Sequence, residues 1–120
     1  ELCETMSRST GEICAVTDRD TIIAVAGGSK RELLGKRISP ELERIMESRK
    51  IYRREAQEEE VAVTDSGDKL RVRVAAPILA EGDLLGLVLF VGGEGAAPAE
   101  EPEYKLAQTI AAFLGRHMES

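Results

Sequence analysis

Three clusters of residues in this chain have types and spacings that could do chemistry, and each is charged or anion-seeking. Gly27-Gly28-Ser29-Lys30 puts glycines ahead of a short helical pattern, where the backbone amides of a helix start attract phosphate or carboxylate. A nucleotide-triphosphate loop needs a longer glycine-bounded segment with lysine ahead of serine or threonine, and here serine comes first. That leaves a plain strand-to-helix turn, or a turn that touches a small anionic ligand. Lys69, Arg71 and Arg73 alternate along one run and could grip a carboxylate or phosphate, while Glu58, Glu59 and Glu60 nearby supply counter-charges for a solvated, salt-bridged edge. Asp18, Asp20 and Asp83 lie close to turns, and turn chemistry accounts for each without a divalent ion.

Nucleophilic and redox chemistry find no footing. Cys3 and Cys14 lack a Cys-x-x-Cys spacing and read as buried, reduced thiols. The lone histidine, His117, falls in the last turns of a helical pattern, where a cation is favourable. There is no Ser-His-Asp arrangement and no histidine pair. The expectation is a non-enzyme without a metal site or cofactor, with room at most for an unidentified small metabolite. Tyr52, Phe90, Tyr104 and Phe113 are the only aromatic residues, too few for a platform that stacks nucleobases or haem. The balance of 16 basic against 22 acidic residues gives a net charge of −6, which opposes contact between the average surface and a phosphate backbone. No apolar run reaches membrane-spanning length and no signal-peptide pattern is present, which points to the cytoplasm and away from a membrane.

The elements that must position these residues follow from periodicity. With 120 residues, 42% hydrophobic and 32% charged, the chain suits one globular domain. Residues 1–9 read as the last turns of a helix, with Leu2, Cys3 and Met6 on one side and Gly11 to end it, so the chain is expected to be a fragment of a longer polypeptide. Residues 12–18 and 21–26 read as a hairpin across Arg19-Asp20. Ser29 and Glu32 have the form of a capping box for a short helix through Leu33 and Leu34. Ser39-Pro40 opens a helix over 40–49 with Leu42, Ile45 and Met46 on its apolar side. Residues 50–60 fit a linking loop or the start of an edge strand. A hairpin turning at Ser66-Gly67 would set Val63 against Leu70, Val61 against Val72 and Glu60 against Arg73. From Ala75 to Val91 two apolar runs meet in one tight turn. The second is apolar at both parities, so something must cover each face of the sheet. A glycine- and alanine-rich loop over 92–99 then leads to a helix over 103–117. That helix carries two stripes: Ala107, Ile110, Ala111, Leu114 and Met118, and Leu106, Ile110, Phe113 and His117. One stripe can cover the sheet. The other needs the N-terminal helix or the same helices of a second subunit.

In this order the elements make an α/β (α+β) fold: an antiparallel sheet in the order 2-1-5-4-3, terminal helices on one face and middle helices on the other. This resembles a GAF/PAS-like domain. Closer similarity lies in Thr17-Asp18-Arg19-Asp20 with Ile23-Ala24-Val25-Ala26-Gly27-Gly28-Ser29-Lys30, in Ile38-Ser39-Pro40-Glu41-Leu42-Glu43-Arg44-Ile45-Met46, and in Ala76-Pro77-Ile78, Gly82-Asp83-Leu84-Leu85-Gly86 and Ala112-Phe113-Leu114-Gly115-Arg116-His117. These segments resemble the C-terminal GAF half of AbrB-type sporulation transcription regulators. The resemblance implies that DNA is bound only through an N-terminal domain outside this chain, and that the terminal helices mediate self-association. Cyclic-nucleotide and bilin ligands do not carry over: the chain has no asparagine, and Cys14 lies within a strand.

Two readings of function stand side by side. In one, a small effector sits where Ala24, Ala26, Gly28 and Ser29 leave space under Leu33, Leu34, Leu42 and Met46, with Val72, Val74 and Ala76 as floor and Arg73 beside it. In the other, these side chains pack on one another and the domain is an oligomerisation module through Leu2, Met6, Leu106, Ile110, Phe113 and His117.

Overall fold

Residues 12–66 and 69–117 are described by a computed structural model of the chain. The expected helix around Leu2, Cys3 and Met6, together with Gly11, Gly67 and Met118, lies outside them. Ile13–Thr17 (β1) and Ile22–Ala26 (β2) pair antiparallel. Asp18 builds their turn by accepting the amides of Asp20 at 2.8 Å and Thr21 at 2.7 Å. The Thr21 amide first, then that of Asp20, favours the ionised carboxylate and holds its pKa below the ordinary value.

A four-residue helix, Lys30–Leu33 (α1), follows. The expected capping box does not form, because Ser29 is left-handed at φ 60° and its hydroxyl makes no cap bond. A capping serine needs an extended backbone to reach the amides of the first turn. Ser39 has that geometry. Its Oγ accepts the Leu42 N–H at 3.0 Å and donates to the Ala62 carbonyl at 2.7 Å, which starts Pro40–Ser48 (α2) and ties it to the chain beneath.

Tyr52–Arg53 (β3), Leu70–Ala80 (β4) and Asp83–Gly93 (β5) complete a sheet in the order β2-β1-β5-β4-β3. The third strand thus falls inside the charged segment, set against Val74 and Ala75. Residues 61–63 keep the expected register, with Val63 N–H bonded to the Leu70 carbonyl and Val72 N–H to that of Val61, but form only an isolated bridge. Glu60 turns away from Arg73 and accepts the Gly95 amide at 2.7 Å. Glu101–His117 (α3) closes the fold.

Both faces of the sheet are covered. Ala15, Val72, Ala75, Leu87 and Leu89 pack under Leu33, Leu42 and Met46 from the middle helices. Cys14, Val74, Ala76, Val88 and Phe90 pack under Ala107 and Ala111 of α3. Three irregularities shift residues between faces. Val72 faces Val91 while Val74 faces Phe90, so Arg73 is an extra residue in β4. Further shifts fall between Val16 and Thr17 and between Ile78 and Leu79. Each inserted residue inverts the alternation beyond it.

Two glycines set close approaches. A Cβ on Gly86 would lie 1.9 Å from the Thr17 carbonyl oxygen, and one on Gly115 would lie 2.1 Å from that of Leu79. Gly115 therefore lets the last turn of α3 rest directly on the β4 backbone. Among the described residues no helix is long and apolar enough to cross a membrane.

Candidate functional site

The residues expected to form a pocket do not come together. Leu33, Leu42, Met46 and Val72 are fully buried in the core under the middle helices. Ala26, Val74 and Ala76 belong to the core under α3, on the other side of the sheet. Regular alternation would have put Val72, Val74 and Ala76 on one face, and the extra residue at Arg73 separates the first from the other two. Ala24 and Ser29 are half-buried, while Gly28 and Leu34 are exposed. Where the pocket was expected, large side chains interlock.

Arg73 is turned inward and fully engaged. Its guanidinium pairs with Glu12 ahead of β1 and with Glu103 in the first turn of α3 at 3.1 Å, and donates to the carbonyls of Ala97 at 2.9 Å and Pro98 at 3.2 Å. Burial lowers its pKa, with Glu100 opposing, and an arginine stays charged regardless. This residue joins three stretches of chain, and its side chain has no donor left over for a ligand. Arg71 pairs with Glu94 at 3.1 Å. The expected ionic strand is real, but its acids come from elsewhere than Glu58, Glu59 and Glu60.

The open volume lies on the α3 face. A cleft of about 410 Å³ runs between the C-terminal half of α3 and β4 beyond the end of β3. Its floor is Ile51, Ala76, Pro77, Leu79 and Ala111. Pro77 fits a stretch of β4 with no outer neighbour, since it has no N–H to leave unpaired. Gln108, Ala112 and Arg116 line it from α3, and Arg49 lines it from the end of α2.

Arg49 is held there by two features. It ends α2 in the left-handed conformation, at φ 62°, a position usually taken by glycine, and its guanidinium donates to the Gly82 carbonyl in the β4–β5 turn. Arg116 sits in the last turn of α3, where a cation suits the helix dipole. The nearby arginines are satisfied by protein: Arg53 by Glu101 at 2.7 Å, and Arg54 by the Ala96 carbonyl. Arg49 and Arg116 have no carboxylate partner among the described residues.

Of the residues expected for self-association, Phe113 and His117 lie exposed on α3, Leu106 and Ile110 pack against the core beneath it, and Leu2 and Met6 lie outside the described residues. Leu106 and Ile110 are half-buried, Phe113 is 47% exposed, and its ring stacks on His117 with centroids 6.0 Å apart. No group of three or more potential metal ligands occurs among the described residues. The cleft went unread because its walls are separated in sequence, although two signals were present. One was a proline inside an apolar strand run, and the other a glycine in a helix beside Ala111 and Ala112.

Comparison with known proteins places this geometry. The chain is 33% identical over 119 residues to stage V sporulation protein T of Bacillus subtilis (strain 168), covering 99% of this chain and 66% of that protein, a little under two thirds of its length. The fold matches the crystal structure of the GAF domain/HD domain protein from Geobacter sulfurreducens with a TM-score of 0.62 at 15% identity, over 98% of this chain and 89% of that one. The strand order and the helices on both faces are thus those of a GAF-type fold. The family described as "Stage V sporulation protein T C-terminal, transcription factor" matches residues 1–119, and the chain belongs to it.

Proposed function

We propose that this domain is the regulatory half of a cytoplasmic sporulation transcription regulator, and that it takes a small effector in the cleft between β4 and α3. The observation that carries this reading is the cleft itself: an apolar floor with a few polar groups among its lining residues, at the small end of the size range for ligand sites. One wall is α3, which leans on β4 through the small residues Ala107, Ala111 and Gly115. An effector wedged between them changes the preferred seating of α3. The coupling is bounded by the difference in its affinity for the two seatings. DNA contact belongs to a separate domain of the regulator, in keeping with the net charge of −6. The domain itself performs no catalysis.

A second reading, an assembly module without a ligand, is favoured by the exposed Phe113–His117 stack on the outer side of α3. Thermal unfolding across a metabolite panel, for the chain and its Ala112→Trp variant, separates the two. A concentration-dependent rise in midpoint that the variant loses supports sensing in the cleft. A rise that persists in the variant removes the cleft as the site. The absence of any rise, with assembly lost in Phe113→Glu, transfers the function to self-association.

A further inference from the structure

We infer that the cleft selects a small anion with an aliphatic body and no ammonium group. This rests on the cleft being the effector site and goes further by naming the ligand class. Two arginines, Arg49 and Arg116, line a cleft whose other described lining residues are aliphatic except for Gln108. Neither is neutralised by a carboxylate among the described residues, in a chain that carries six more acidic than basic residues and pairs Arg53, Arg71 and Arg73 internally. Arginine presents planar forks suited to carboxylate and phosphate oxygens. Arg49 is already tethered to the Gly82 carbonyl, so less of its freedom remains to be lost on binding.

The lining also defines what is refused. Among the described residues its lining holds no aspartate or glutamate, so a zwitterionic amino acid or a polyamine would bring its ammonium beside two cations with no counter-charge from those residues. The described lining residues include no aromatic side chain, so a nucleobase finds no aromatic ring among them to stack on. The Ile51, Pro77 and Leu79 floor suits a short branched or linear alkyl chain. Gln108 is the only neutral polar side chain in the lining among the described residues and can hydrogen-bond one further polar substituent.

Four ligands of nearly one carbon skeleton test this by calorimetric titration of the chain: isocaproate, isopentyl phosphate, isocaproamide and leucine. The expected result is binding of one or both anions, weakened at least about tenfold in Arg49→Gln and in Arg116→Gln, with the amide and the amino acid bound more weakly by a similar factor. The first two ligands distinguish carboxylate from phosphate recognition. Equal affinity for isocaproamide or leucine, or anion binding indifferent to both arginine variants, overturns the inference, as does the absence of binding by either anion up to tens of millimolar. Its failure is distinguishable from failure of the effector site itself. If Ala112→Trp abolishes a response to some metabolite outside this series, the cleft remains the site and only the ligand class falls. If the anions bind through both arginines while DNA affinity of the complete regulator is unchanged, the class stands and the regulatory coupling falls.

Discussion

The two faces of this sheet are covered by opposite means. Under the middle helices, Leu33, Leu42 and Met46 meet Val72, Leu87 and Leu89, each fully buried. Under α3 the fully buried helix residues are Ala107, Ala111 and Gly115, with the half-buried Leu106, Ile110 and Leu114 packed beside them. On the first face large side chains from both sides are fully buried against one another. Small ones bring the helix backbone onto the strand at one end, and where helix and strand edge diverge the gap stays open as the cleft. The cleft thus lies where the buried helix residues are small and the helix approaches the strand most closely at one end.

The sharpest way to break this contrast is at the residue that separates the faces. Arg73→Met removes the guanidinium that the partly buried Glu12 and Glu103 carboxylates share, and a loss of about 4 kcal/mol in urea unfolding is expected. A loss under about 1 kcal/mol would mean that the knot is ornamental to stability. On the packed face, Leu42→Ala should cost about 3 kcal/mol and leave ligand affinity at the cleft unchanged. On the open face, Gly115→Ala forces α3 away from the Leu79 carbonyl. About 2 kcal/mol of stability should go, together with an altered affinity at the cleft. Ala112→Trp, at an exposed wall position, should change stability by no more than about 0.5 kcal/mol while closing the cleft. The smallest effect lies remote from both faces. Asp18 has a lowered pKa in the folded chain, so its contribution is present above the ordinary carboxylate value of 3.8 and is lost as the pH falls below that towards the depressed value. Asp18→Ala should therefore lower stability slightly at neutral pH and remove this group's share of the fall along the acid limb.

Most of the scaffold was legible in sequence because local signals agreed with one another. Ser39-Pro40 announced α2, the Arg19-Asp20 spacing announced the first hairpin, and the doubly apolar run over 84–91 announced a sheet covered on both sides. The site was much less so. A bulge leaves no mark in the alternation of Arg71-Val72-Arg73-Val74, since valine suits either face, and this one residue moved Val74 and Ala76, two of the three expected floor residues, to the other side. Ser29 misled for a related reason: a serine three residues before a glutamate reads as a cap only if its backbone is extended, and after Gly27-Gly28 it is not. The cleft depends on where β3 stops and how closely α3 descends, both of which are properties of distant segments meeting.

Arg73 has a consequence for the order of events in folding. Its partners lie 61 residues away at Glu12 and 30 away at Glu103, so the contact can close only after the β4–β5 hairpin has formed and both chain ends have returned to it. Contacts that need such distant loops to close come late on the path. Arg73→Met is then expected to leave the refolding rate nearly unchanged and to appear almost wholly as faster unfolding. The buried guanidinium acts as a latch fitted last, and it governs how long the folded domain lasts more than how quickly it is reached.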